Sequence, residues 1–319
     1  MNGRCLICGL PLAEQAPSSY HAPCARDFFG SRSIPAFPYT TEEINALAKN
    51  LVLSRVSVPG VQAKLSVHLE RTEDVDRFTI VGFEGDYILK LPTAAYPEIT
   101  EAEHFGMTLA SLCGLKTAAF ALIRLASGGL AYLTRRLDRM DGVKHMLDMC
   151  QLTLRDTERK YSGSYEQIAK AVKAVSASSG LDLGELFNHV VYAYLIGNSD
   201  MHLKNFSMLR EHDGNWHLAS AYDLLPVRVL MPQDPDELAL NLNGRKNRLT
   251  RKDFIRFGEA CNFTEARCEK VLSTFLARFT SAIPQALACS FLSDDFKART
   301  LAYVNARKTI FEQTDPEGL

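Results

Sequence analysis

Asp200 and Asn205 lie five positions apart in Asn198-Ser-Asp-Met-His-Leu-Lys-Asn205. Asp223 follows in Ala221-Tyr-Asp-Leu-Leu225, and Lys90 closes the apolar run Tyr87-Ile-Leu-Lys90. Phosphoryl transfer asks for this set: a carboxylate to orient an attacking hydroxyl, oxygen ligands for magnesium, and a lysine on the phosphates. The Asp–Asn interval is that of a phosphotransfer loop. An Asp and an Asn so spaced also arise by chance, so the interval gains weight only from its place at the exit of an apolar helix, which can hold a loop rigidly. A carboxylate and a carboxamide oxygen meeting there suit hard, oxygen-loving Mg²⁺. This requires Asp223 to return beside Asn205; otherwise it is a turn or capping aspartate. Lys90 either snorkels to solvent or points into a cleft.

A second set stands at the amino end. Cys5-x2-Cys8, twelve further residues and His21-x2-Cys24 supply three sulfurs and one imidazole at knuckle spacing. Cys5, Cys8, His21 and Cys24 are expected to close a tetrahedral structural zinc site. The segment is too short to fold on its own core, and a metal staple would offset that. The alternative is a reduced, buried cysteine cluster with His21 facing solvent. The other cysteines, Cys113, Cys150, Cys261, Cys268 and Cys289, lie in apolar stretches and read as small buried hydrophobes. No basic-then-apolar leader opens the chain, and the longest apolar runs, such as Val190–Ile196, are too short to span a bilayer. A cytoplasmic location is expected, with no membrane partner, and in a reducing compartment disulfides are rare.

The elements that must hold these residues change character along the chain. Leu65, Val67 and Leu69 alternate as in a half-buried strand. Arg77–Val81 and Tyr87–Leu91 flank Glu84-Gly85-Asp86 and predict a hairpin. Glu101–Cys113 has helical spacing and stops at Gly114. Two more strands, Ala119–Leu125 and Leu130–Thr134, bracket Ser127-Gly-Gly129. The second half is mostly helical. Leu183, Leu186, Phe187, Val190, Val191, Tyr194 and Leu195 mark a core helix running into Gly197. A hairpin of Phe206–Leu209 and Trp216–Leu218 follows, then helices over 250–313, the first opened by a Thr250…Asp253 capping box. The expected plan is α+β: a Cys/His head (1–30), a β-rich amino lobe (31–140) and a helical carboxyl lobe (141–319), with a cleft between the lobes.

A length of 319 residues, 46% hydrophobic content and a formal charge of −1 fit a soluble globular chain with no global pull toward nucleic acid. Arg245-Lys246-Asn247-Arg248 with Arg251-Lys252 is either a solvated face or a local patch for a tRNA-bearing substrate or operator DNA.

Several segments carry a resemblance. Ser57-Val-Pro-Gly-Val-Gln-Ala-Lys64, Tyr87-Ile-Leu-Lys-Leu-Pro92, Arg135-Arg-Leu-Asp-Arg139, Asp148-Met-Cys-Gln151, Asn198–Asn205 and Ala221-Tyr-Asp223 resemble, in order over about residues 50–310, the HipA family of serine/threonine kinase toxins. The short stretch before Ser57 is similar to the compact HipT members of three-gene systems. The resemblance implies a two-lobed, protein-kinase-like fold that uses ATP and Mg²⁺.

It also implies roles. Asp200 matches the catalytic aspartate, and Asn205 and Asp223 match the magnesium ligands. Lys90 matches the lysine on the α/β-phosphates, and His202 a histidine near the nucleotide. Arg135–Leu137 matches the hinge whose backbone receives adenine, with Gln151 close by. Glu and Phe stand in HipA where this chain has Arg135 and Leu137. Glu103 could pair with Lys90 or be a solvated helix glutamate.

The loop holding Gly60 and Val61 matches the one over the phosphates, and Ser57 matches an inhibitory autophosphorylation site. The second serine of HipT is Pro59 here, which removes a double-serine switch; Ser54 could substitute, or Ser57 could simply end a turn. The implied target is an aminoacyl-tRNA synthetase. The implied partners are a DNA-binding antitoxin and a separate small protein supplying the missing subdomain. The alternatives are a small-molecule or lipid kinase and a nucleotide-binding regulator without turnover. The Cys/His cluster has no counterpart in the resemblance.

Overall fold

Leu65, Val67 and Leu69 are buried on one side of strand β1 (Lys64–Glu70), the period of two expected for a pleated strand with one face in the core. A computed structural model describes residues 3–14, 18–31, 35, 37–44, 46, 62, 64–71, 76–81 and 84–312. The loop with Ser54, Ser57, Gly60 and Val61 lies outside the described residues. The chain divides into two compact units. The first comprises Met1–Phe105, Ala118–Asp141 and Ala288–Leu292, and the second Gly106–Thr117, Gly142–Leu287 and Ser293–Leu319.

The first unit holds a five-stranded antiparallel sheet in the order β2-β1-β3-β5-β4. Besides β1 its strands are β2 (Arg77–Val81), β3 (Tyr87–Lys90), β4 (Phe120–Arg124) and β5 (Leu130–Arg135). β4 and β5 form the expected hairpin. The hairpin expected between Arg77–Val81 and Tyr87–Leu91 does not form, because β1 runs between them and pairs with both, Leu69 opposite Phe78 and Leu65 opposite Leu89. Gly85 shows why: its N–H donates to Ser66 Oγ at 3.0 Å, and a Cβ there would stand 2.5 Å from Val67 O. Gly85 thus lies against β1. The amino-terminal segment joins this unit, since Leu122 N–H in β4 donates to Leu6 O at 2.7 Å and the Tyr20 hydroxyl donates to Leu122 O at 2.9 Å. Helix α1 (Ala22–Phe29) packs Phe29 edge-on to Phe78 and Tyr20.

Helix α2 (Ile99–Leu112) ends as expected before Gly114, whose φ of 87° no β-carbon-bearing residue takes cheaply. The second unit is built on α3 (Tyr165–Val175), α4 (Ser179–Ile196), α5 (Arg251–Ala260), α6 (Glu265–Cys289) and α7 (Asp294–Glu312). The seven apolar positions that predict α4 are all fully buried, each stabilising by roughly 1.5–3 kcal/mol. Beside the helices lies a three-stranded antiparallel sheet, β6 (His145–Asp148), β7 (Ser207–Arg210) and β8 (Trp216–Leu218), in that order. β7 and β8 are the expected second hairpin, and β6 is a strand the sequence patterning did not announce. The fold class is α+β, with antiparallel sheets and a helical carboxyl-terminal region.

Candidate functional site

α4 delivers the first residues. It is capped at Gly197, where φ is 79° and an added Cβ would stand 2.6 Å from the Tyr303 ring. From that fixed end the chain passes through a turn at Ser199 and Asp200 into a single 3-10 turn, Leu203–Asn205, and then β7. β7 and β8 carry it out and back, and the segment after β8 brings Asp223 beside Asn205. Asn205 Nδ2 donates to Asp223 Oδ2 at 2.7 Å. Asp223 thus returns beside Asn205, and the carboxamide meets the carboxylate through its nitrogen.

Two further bonds fix the pair. His202 N–H donates to Asn205 Oδ1 at 3.1 Å, so both ends of the carboxamide are held and its rotamer is set. Asn198 Nδ2 donates to the Asp223 carbonyl at 3.1 Å. Asp223 has φ 61°, a left-handed backbone that Asp and Asn tolerate better than other residues with a β-carbon. A helix backbone also abuts this segment: a Cβ on Gly106 of α2 would lie 2.2 Å from Leu224 O. Tyr192, fully buried in α4, donates its hydroxyl to Gly106 O at 2.5 Å.

Asp200 accepts a hydrogen bond from the Tyr161 hydroxyl through Oδ1 at 2.5 Å. The Tyr161 phenol is raised well above its ordinary value, by desolvation first, then by the bond to Asp200 and the charges of Asp200, Asp234 and Asp223. It therefore stays a donor at neutral pH. His202 stacks edge-on against Tyr161 at 5.1 Å and is only 6% exposed. Burial lowers its pKa, partly offset by Asp200. Asn205 and the Asp223 carboxylate offer hard oxygen donors, the chemistry that magnesium prefers, and so they fit that ion. Tyr161, Asn198, Gly106 and Tyr192 had no signal of spacing in the sequence.

Lys90 and Glu103 belong to the first unit. Lys90 Nζ lies 2.5 Å from Glu103 Oε1, with the side chains 5% and 1% exposed. Of the two readings of Glu103, the pair with Lys90 is the one realised, and Lys90 does not snorkel to solvent. Nζ also stands 5.5 Å from the centroid of the Tyr132 ring. Arg135 ends β5, its N–H donating to Ala119 O at 2.9 Å, and Leu137 is buried in the turn that follows. Gln151, in the second unit, is exposed and spends its side chain on a reciprocal cap with Asp148. In the basic run, Arg245 pairs with Asp253, Lys246 with Asp236 and Arg251 with Glu269. At the amino end, the ligand atoms of Cys5, Cys8, His21 and Cys24 lie within 4.8 Å of one another. The five scattered cysteines are all buried. Among the described residues no helix is long and apolar enough to cross a membrane.

The fold agrees with the relatives the chain has. The family of the HipA-like C-terminal domain matches residues 56–283, most of the chain, and the chain belongs to that family. It is 28% identical over 255 residues to a putative kinase of Haemophilus influenzae, covering 70% of this chain and 72% of that protein. It is 31% identical over 207 residues to the putative kinase Y4dM of Sinorhizobium fredii, covering 60% of this chain and 50% of the relative. The putative kinase Y4mE of the same organism is 32% identical over 201 residues, covering 60% of this chain and 47% of that one. The chain thus spans about half the length of the two Sinorhizobium relatives. The fold is similar to that of Shewanella oneidensis HipA, solved in a toxin–antitoxin complex with HipB and operator DNA. There the TM-score is 0.70 and the identity 17%, over 88% of this chain and 73% of that one. It is also similar to the Helicobacter pylori proinflammatory kinase CtkA, at a TM-score of 0.51 and 14% identity, over 77% of this chain and 93% of that one.

Proposed function

We propose that this chain is an ATP-dependent serine/threonine protein kinase acting as the toxin of a bacterial toxin–antitoxin system in the cytoplasm. The observation that carries the reading is the 2.7 Å contact of Asn205 with Asp223, with Asp200 at the start of the same loop. Membership of the HipA-like family and the kinase names of its relatives support it.

In this reading the γ-phosphoryl group moves from ATP to a substrate hydroxyl, ADP leaves, and the hydroxyl proton passes to Asp200. Tyr161 occupies Oδ1 of Asp200, which leaves Oδ2 for the incoming hydroxyl. Asn205 and Asp223 would hold magnesium, with the carboxamide fixed by His202 N–H and the carboxylate by Asn205. Magnesium bound there supplies neutralisation of the phosphate charge. Lys90 would contact the α/β-phosphates, oriented by Glu103 rather than free to swing. Arg135 and Leu137 would receive adenine through their backbone, with Gln151 and the buried, neutral His202 near the nucleotide and Gly60 and Val61 over its phosphates. Ser57 would be the inhibitory autophosphorylation site. An aminoacyl-tRNA synthetase is the proposed target; a DNA-binding antitoxin and a separate small subdomain protein are the proposed partners.

Labelled ATP in a cell lysate tests this. Label is expected on serine or threonine of protein with the wild type and is expected to vanish with Asp200→Asn. Label entering only lipid or small molecules would replace the reading with that of a small-molecule or lipid kinase. Nucleotide binding with no transfer would make the chain a regulator.

A further inference from the structure

The proposed phosphotransfer leaves the cluster at the amino end without a task, and its geometry is that of a ligand shell. Cys8 Sγ stands 3.4 Å and Cys24 Sγ 4.0 Å from His21 Nδ1. A tetrahedral zinc ion with ordinary bond lengths places a sulfur and a nitrogen about 3.6 Å apart, and the two distances bracket that value. The imidazole is already oriented for the task. Its Nε2 lies 3.1 Å from Pro11 O, and a carbonyl only accepts, so Nε2 carries the proton and Nδ1 turns a lone pair on the sulfurs. His21 N–H points at Cys5 Sγ from 3.4 Å. The loop between the first two cysteines is tight: Gly9 N–H donates to Cys5 O at 2.8 Å, with Gly9 at φ 71°. Three sulfurs and one nitrogen form a soft, closed set that suits zinc rather than an oxygen-loving ion.

The segment carrying these ligands is also where the first unit needs a fastening. β4 is the edge of its sheet. Leu122 offers that edge an unpaired N–H and C=O, which are met by Leu6 O and the Tyr20 hydroxyl. Ile7 O accepts from His104 Nε2 at 2.8 Å; His104 is 1% exposed and set edge-on to both Phe120 and Phe291. Gly9 presses so closely on the chain at Cys289 that a Cβ would lie 1.9 Å from Cys289 O. Leu6 and Ile7 lie in the turn that the first two cysteines open and close, and Gly9 directly follows it.

We propose that Cys5, Cys8, His21 and Cys24 hold one structural zinc ion, and that this ion fastens the amino-terminal segment over the β4 edge and against His104. Elemental mass spectrometry of the purified full-length protein is expected to give one zinc per chain. Cys113→Ser, at a buried thiol outside the cluster, is expected to keep it and Cys24→Ser to lose it. In the wild type, stripping metal with a chelator is expected to speed hydrogen exchange at the Leu122 amide by about tenfold or more, reversed by added zinc. Both measurements stand on the wild type, so a Cys24→Ser variant that fails to fold does not weaken them. Protein free of metal, or an intact mass showing a Cys5–Cys8 disulfide, would overturn the site. Zinc at one per chain with unchanged exchange at Leu122 would overturn the fastening.

Discussion

Asn205 and Asp223, eighteen positions apart in the chain, meet through one 2.7 Å hydrogen bond that exists because β7 and β8 return the backbone to its starting point. Asp223→Asn keeps the short side chain and removes only the charge. Labelled-ATP transfer is expected to fall about a hundredfold or more, with the melting temperature nearly unchanged. Transfer within a factor of two of wild type would remove Asp223 from the metal site.

Tyr161 is the group that orients Asp200. Tyr161→Phe deletes the hydroxyl at a residue that is 44% exposed, so folding should barely notice. Turnover is expected to drop by about tenfold with little change in KM for ATP, since only the alignment of the base is lost. Steady-state kinetics checks this, and a change in KM alone would contradict it.

The Lys90–Glu103 pair separates stability from chemistry. Glu103→Leu removes the carboxylate from a buried ammonium and is expected to cost about 3–5 kcal/mol in urea unfolding. Lys90→Met with Glu103→Leu should recover most of that stability while phosphotransfer stays abolished. Recovery of activity in the double variant would show that Lys90 has no role on the phosphates.

Gly106 tests positioning through the backbone. Gly106→Ala must push on Leu224 O, which follows Asp223, since the new Cβ would otherwise lie 2.2 Å from it. A loss of roughly 1–3 kcal/mol of stability is expected, with a fall in phosphotransfer larger than the folded fraction explains. Calorimetry and kinetics on the same preparation separate the two effects.

His104 and His189 make the fold acid-labile. Burial lowers each from 6.5 to about 4 in the folded protein, so above pH 6.5 both are neutral in either state and cost nothing. Between pH 6.5 and about 4 the unfolded chain takes up protons that the folded one refuses, and stability falls as the pH falls. The full effect is roughly 3 kcal/mol per histidine, and below about pH 4 it levels off. Urea midpoints across that range should show the slope, and His189→Gln should remove about half of it.

The sequence made legible whatever rests on local pattern. The period of α4, the stop at Gly114, the β4–β5 and β7–β8 hairpins and the Thr250–Asp253 cap all follow from near neighbours, and all are present. It also brought Asn205 and Asp223 together, because a two-strand excursion returns its ends. It misplaced the partner of Tyr87–Lys90, because β1 enters between two strands that sit side by side in the chain, and strand order is a long-range choice. It overlooked β6, whose side chains are half-buried or exposed and carry no alternation. Tyr161 was invisible for a similar reason: a tyrosine in a polar loop has no spacing that announces a bond to a carboxylate thirty-nine positions later.

The left-handed turn of the chain at Asp223 has a consequence for how this position can vary. Local sterics admit glycine, asparagine and aspartate there at small cost, while glutamate and bulkier residues lose on the order of 1 kcal/mol or more. The proposed role asks for a negative oxygen ligand, which glycine and asparagine lack. The two demands overlap in a single amino acid. A chain that exchanges this aspartate for glycine or asparagine is expected to keep its fold and to lose the proposed phosphotransfer.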